Sequence, residues 1–336
     1  MVTTINHPTR AIRDIARLVP EWNLLVVGDR KTPKDWKCEG VRYLSVDEQV
    51  ELGFSLSHVA PYNHYVRKNI GYLFAIEKGA NVVLETDDDN IPFDWYPGDI
   101  AEVLEARLVN KQGWENIYTH FSKSRIWPRG FPLELINESL RSPSALANRE
   151  EHRCPIQQYL ADENPDVDAV FRMTTEGDQY FQGEDVVIGR GTWCPFNSQN
   201  TLWMADAFPY LYLPCTATFR MTDIWRSFIA QVCVYAANGK IAFRKPSMFQ
   251  KRNEHSLIRD FADEVSGYLN NAAIMAMLSD LDLSGTGGEA NLHQCYRSMI
   301  DAGYLQPSEM NMLDCWLADL QKARQTKVRK FEAATP

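Results

Sequence analysis

The chain has 336 residues, about twice the ~150 of an average domain, so it holds either two domains or one elaborated α/β domain. Hydrophobic residues make up 45% and charged residues 24%, which excludes a disordered or collagen-like chain. Lysine and arginine number 35 against 44 acids, a formal charge of −9 without a basic tail, which argues against nucleic acid as a partner.

In chain order, Val2 to Ile5 is a short β-branched strand, and Pro8 then opens a helix with Ile12, Ile15 and Ala16 on one stripe. Asn23 to Val27 is a continuous apolar run stopped by Gly28, the pattern of a strand buried on both faces. A weaker strand follows at Val41 to Val46. Asn63 to Lys78 reads as a helix, with Val66, Ile70, Leu73 and Phe74 on one face and Gly79 closing it. The strand Asn81 to Leu84 runs into Asp87-Asp88-Asp89. Strands alternating with helices predict a mainly parallel sheet covered on both faces, whose ligands bind beyond the strand C-termini.

From Pro92 to Pro214, prolines, glycines and tryptophans predict binding loops and short antiparallel strands. Four helices follow, at Asp223 to Ala237, Leu257 to Leu283, Asn291 to Gly303 and Ser308 to about Ala333, with Ser284 to Glu289 as a flexible hinge. FRMT occurs at Phe171 to Thr174 and again at Phe219 to Thr222, which reads as coincidence, because four residues at that separation make no structural repeat. No apolar stretch reaches the roughly 18 to 20 residues that a bilayer requires, and the N-terminus has no signal-peptide pattern. The expected location is therefore cytoplasmic. Seven scattered cysteines without a CxxC pair read as buried thiols.

Three adjacent aspartates concentrate charge, since like charges ~4 Å apart repel by about 4 kcal/mol at an effective dielectric near 20. Side-chain alternation along an extended strand would aim Asp87 and Asp89 at one ion and turn Asp88 away. Carboxylate oxygens without nearby sulfur suit Mn²⁺ or Mg²⁺ completed by phosphate oxygens; the alternative is a solvated acidic turn. Arg67 and Lys68, at the start of the preceding helix, could meet a diphosphate or form a solvated face. Gly28 and Asp29 follow the second strand, where a carboxylate can receive a base or a ribose hydroxyl.

The segments TTIN, VVGD with KTPKDW, PYN, RKNIGYLFAI, TDDDN, DVDAVFRMT, PFNSQNT, FRMTDIW and QKRNEH resemble those of the STELLO-type glycosyltransferases, from Val2 to about Tyr268. A more distant likeness, through TDDDN, WPRGFPL and TDIW, points to the reversibly glycosylated polypeptides, which are UDP-arabinopyranose mutases. Both imply a GT-A fold, a Rossmann-like mixed sheet flanked by helices. The expected organisation is residues 1–255 as catalytic domain, with 1–91 for the nucleotide sugar and 92–255 for the acceptor, and 256–336 as a C-terminal helical region.

The resemblance implies transfer from a nucleotide sugar, a UDP-sugar first, to a glycan or glycoconjugate acceptor in cell-surface polysaccharide synthesis. It places Thr4, Asn6, Gly28, Asp29, Arg67, Lys68, Asp87 and Asp88 at the nucleotide sugar, and Asp87, Asp89 and His255 at the metal. Asp223 would activate the acceptor hydroxyl, or else simply stabilise a helix N-terminus. Arg129 matches the arginine associated with self-glycosylation in the mutases, or clamps phosphate. A mutase and a non-catalytic scaffold are the alternatives. His7 departs from the family's proline, and because the chain begins at its first strand, the Golgi setting of plant STELLO proteins is not carried over. Trp127, Trp193, Trp203 and Trp225 could stack on sugars or fill the core.

Overall fold

The computed structural model describes residues 1–334 apart from Ser142, Glu254, His255 and Thr286, with side chains followed as far as residue 326. Strand β1 (Val2–Thr3) leads to helix α1 (Arg10–Leu18), which begins where the Thr9 hydroxyl accepts the Ile12 N–H at 3.3 Å. The fully buried β2 (Leu24–Val27) lies between β1 and β3 (Val41–Leu44) in a parallel three-stranded sheet. Two short helices, α2 (Val46–Glu51) and α3 (Leu56–Val59), precede α4 (Lys68–Glu77). The predicted helix loses its first turn: Asn63 has a positive φ of 56°, and Tyr65–Arg67 form a 3-10 turn. Gly79 closes α4 at a φ of 100°, which favours glycine.

β4 (Val82–Thr86) begins a second sheet, to which β5 (Asn90–Pro92), β6 (Val103–Val109), β8 (Leu146–Arg153), β9 (Ile156–Asp162), β10 (Val186–Ile188), β12 (Asn200–Met204) and β13 (Ile241–Gln250) belong; β7 (Gly113–Trp114) pairs separately with β11 (Thr192–Trp193). Its path is β4-β12-β9-β13-β10-β6-β8, mixed in direction, with β9 and β13 parallel and β4 and β12 antiparallel. The mainly parallel sheet predicted for the first ninety residues is thus confined to three strands. β4 meets them through Met1, whose carbonyl accepts the Thr86 N–H at 2.9 Å.

The remaining helices are α5 (Ile136–Ser139), α6 (Ala169–Thr174), α7 (Thr222–Ala236), α8 (Leu257–Ser279), α9 (Gly288–Asp301) and α10 (Glu309–Ala334). Because α9 starts at Gly288, it absorbs the end of the predicted hinge; Thr286 lies outside the described residues. Strand alternation divides the core: Leu202 and Met204 pack with Ile12 and Ile15 of α1, while Trp203 between them joins the cluster of α4 and α7. Fourteen of the fifteen residues of α7 are buried, among them the polar Asp223, Arg226 and Gln231.

The same core cluster runs from Phe54 to Ala323 and draws in Ile274 of α8, Tyr296 of α9 and Trp316 of α10. Buried carboxylates fasten these helices to the rest. Asp319 accepts the Ser55 and Leu56 N–H groups at 3.0 and 2.8 Å, and Glu309 accepts those of Cys215 and Thr216 at 2.9 and 2.7 Å. Packing therefore continues across the boundary expected at residue 255. Five cysteines are buried, Cys38 and Cys315 are partly so, and all seven are free thiols. No helix among the described residues is long and apolar enough to cross a membrane.

Candidate active site

A cavity of 620 Å³ opens beyond the C-terminal ends of β1, β2 and β4, where the sheet topology leads one to look. Its wall includes Thr4, Asn6, Gly28, Asp29, Arg67, all three aspartates, Arg129 and Asp223. The segments that carried the family likeness meet there as well. PYN supplies Asn63, PFNSQNT supplies Ser198 and Gln199, and QKRNEH supplies Gln250, Arg252 and Asn253.

β4 stops at Thr86, and Asp87 to Asp89 turn away from it, so strand alternation does not apply to them. All three side chains border the cavity, including that of Asp88, which the alternation argument turned away. Asp88 accepts from the Thr4 hydroxyl and, at 3.0 Å, from the Asn6 side-chain amide, while its carbonyl accepts from Thr9 at 2.5 Å. Asp89 accepts from Gln250 at 3.0 Å. Among the described residues the Asp87 side chain meets only the Lys68 ammonium, at 3.3 Å, and 41% of it stays exposed. Burial in the cleft pushes the Asp87 carboxyl up to about 7; Lys68 opposes this, and the charges of Asp89, Asp223 and Asp88 add to it. Burial also raises Asp89.

Hard oxygen donors, mutual repulsion and an Asp87 oxygen without a donor among the described residues fit a divalent cation shared with phosphate. Among the described residues no group of three or more His, Cys, Asp or Glu forms a metal site by itself. His255, the expected third ligand, lies outside the described residues.

Three of the expected donor-binding residues have structural duties. A Cβ on Gly28 would run into the Tyr43 ring, so that glycine makes room for an aromatic side chain. Asp29 accepts the backbone N–H groups of Arg30 at 2.7 Å and His64 at 3.0 Å, pinning the turn after β2. Lys68 is fully buried, spans Thr86 O, Asp87 and Ser198 O, and does not reach the cavity wall. Its ammonium offsets the aspartates instead of a diphosphate. Arg67 does reach the wall: it bonds Gln49 at 2.7 Å, lies over the Tyr62 ring at 4.3 Å, and leaves one buried terminal nitrogen without an acceptor.

The opposite wall is closed upon itself. Arg129, 5% exposed, bonds Asp166 through Nε at 2.8 Å and Nη2 at 2.7 Å, Asp223 through Nη1 at 3.0 Å and Nη2 at 2.9 Å, and the Arg220 carbonyl through Nη1. All five donor hydrogens of the guanidinium are thereby engaged. Asp223, in the first turn of α7, also accepts the Ser198 N–H and hydroxyl at 3.1 Å each and the Tyr65 hydroxyl at 3.2 Å. Burial would raise its carboxyl, but the Arg129 guanidinium overrides this and holds it well below the usual carboxylate range. A carboxylate so acidic and so fully bonded is a weak acceptor for an alcohol proton, which weighs against the general-base role.

Asp166, Tyr65, Arg172, Arg220 and Arg252 escaped the sequence reading. Four of them had a signal, since DVDAVFRMT contains Asp166 and Arg172, FRMTDIW contains Arg220 and QKRNEH contains Arg252. Of the four tryptophans considered for stacking, none lines it; Trp127, Trp203 and Trp225 are core residues and Trp193 packs against the core.

The family model of STELLO glycosyltransferases matches residues 220–330. Two curated relatives from Arabidopsis thaliana, Probable glycosyltransferase STELLO2 and Probable glycosyltransferase STELLO1, are each 27% identical over 357 aligned positions, covering 95% of this chain and 44% of theirs. This chain thus spans less than half the length of those relatives. A crystal structure of glucosyl-3-phosphoglycerate synthase from Mycobacterium tuberculosis with phosphoglyceric acid aligns at a TM-score of 0.38 and 10% identity, over 81% of this chain and 78% of that one, and nothing here follows from so weak a likeness. Over nearly its whole length, the chain is similar in sequence to the STELLO-type glycosyltransferases.

Proposed function

We propose that the chain is a metal-dependent glycosyltransferase of the GT-A kind, moving a sugar from a nucleotide donor, a UDP-sugar first, to a glycan or glycoconjugate in cell-surface polysaccharide synthesis. The carrying observation is the aspartate turn on the wall of a 620 Å³ cavity at the strand C-termini, with an Asp87 oxygen that no donor among the described residues claims. Asp87 and Asp89 would hold Mn²⁺ or Mg²⁺, which when bound offsets charge on the diphosphate and on the leaving nucleotide. Thr4, Asn6 and Asp88 form one hydrogen-bonded unit beside them, suited to ribose or base hydroxyls and amides. Arg67, with its unpaired buried nitrogen, supplies positive charge from the same side. The ion pair of Arg129 with Asp166 and Asp223 sets the shape of the facing wall.

Calorimetric titration with UDP and a panel of UDP-sugars tests the reading. Binding should appear with Mn²⁺, vanish in EDTA and return on adding Mn²⁺ or Mg²⁺. Equal affinity in metal-free buffer would remove the metal from the account.

A further inference from the structure

Arg172 on α6, Arg220 just before α7 and Arg252 just after β13 come from separate parts of the chain to one cavity. Arg220 is paired with Glu264 at 2.9 Å and Arg252 with Asp260 at 2.5 Å. Arg172 meets no carboxylate among the described residues. Its contacts are the Pro165 carbonyl at 2.8 Å and the Asn164 side-chain oxygen at 3.4 Å, and its Nε is buried without an acceptor. The nearby Asp166 is already engaged by Arg129. Burial, then the charges of Arg252 and Arg220, push the Arg172 guanidinium down to about 9. The carboxylates of Asp166 and Asp260 offset this only in part, and a bound anion would complete the compensation.

We propose that Arg172, Arg220 and Arg252 form an oxyanion subsite that takes a phosphate group carried by the acceptor, a proposal resting on the glycosyltransferase reading of the same cavity. Guanidinium forks match the oxygens of phosphate, and three of them suit a dianion. The donor's charge has its own counter-charge at the aspartate turn through a metal. The arginines, by contrast, belong to the half of the chain beyond residue 92 and are tied to the Asn164–Val167 loop and α8.

The test is titration of inorganic phosphate into the full chain already saturated with UDP and Mn²⁺. One phosphate should bind per chain, and Arg172→Gln and Arg252→Gln should each weaken it at least tenfold while UDP affinity stays within twofold and the melting temperature shows a folded protein. Displacement of UDP by phosphate would overturn the proposal and give the arginines to the donor diphosphate. So would unchanged phosphate affinity in both variants, or tighter binding of glucuronate than of phosphate. Repeating the titration without UDP or metal keeps the two readings apart: Arg172-dependent phosphate binding there supports the subsite even where UDP fails to bind.

Discussion

The two walls of the cleft carry similar residue types in opposite electrostatic states. On the aspartate turn, three carboxylates share one ammonium and a few neutral donors, and the Asp87 carboxyl is raised. On the α7 wall, Asp166 and Asp223 grip one guanidinium from two sides, and the Asp223 carboxyl is held low. Burial disfavours charge at both places; only the second has the partner that reverses it. The two walls therefore differ in counter-charge: the aspartate turn has one ammonium for three carboxylates, whereas Asp166 and Asp223 share the Arg129 guanidinium.

Substitutions should separate the walls clearly. Arg129→Met leaves Asp166 and Asp223 buried without compensation and should cost about 3 to 5 kcal/mol in denaturant unfolding. Asp87→Asn removes a repelled charge but also the ion partner of the buried Lys68 ammonium, so its net cost should be smaller than that of Arg129→Met. Equal losses in the two variants would erase the distinction. Asp223→Asn is the sharper probe, because the Arg129 pairing predicts a loss of about 1 to 3 kcal/mol through a weakened buried bond. A general base predicts otherwise: intact stability with transfer slowed about 10² to 10⁴-fold, and that result would restore the base role.

Titration gives a smaller effect of definite sign. The folded Asp87 carboxyl sits near 7, above the ordinary value of 3.8. Between these values the metal-free native state holds a proton that the unfolded chain has released, so stability should fall as pH rises from about 4 to 7. Asp87→Asn should flatten that slope, and Mn²⁺ should reduce it by favouring the ionised form, as thermal melts across this range would record. A wild-type slope unchanged in Asp87→Asn would place the titration elsewhere.

Much of this contrast lay beyond the reach of the sequence. The first strands and the four late helices were legible because apolar runs and helical stripes survive in one dimension. β13 was missed because IAFRKPSMFQ interrupts its apolar residues with Arg244, Lys245 and Pro246; Arg244 is buried through its bonds to Asp185 and Gln157. β8 was missed because its outward residues are polar on an edge strand paired with β6 alone. In the site, the aspartate turn could be read because it is contiguous and follows an apolar strand. The pairing of Arg129 with Asp223 spans 94 residues of sequence, and no local pattern announces it. The doubled FRMT was visible, but only folding brings Arg172 and Arg220 to one cavity.

The central claim is that the aspartate turn takes a divalent cation together with a diphosphate. Counting bound Mn²⁺ by electron paramagnetic resonance, with UDP present, tests it most directly. The account predicts one tightly bound Mn²⁺ per chain in the wild type, weakened by about 100-fold in Asp89→Asn while the melting temperature holds. UDP bound at full affinity with no Mn²⁺ retained, or Mn²⁺ retained equally by the variant, would contradict it.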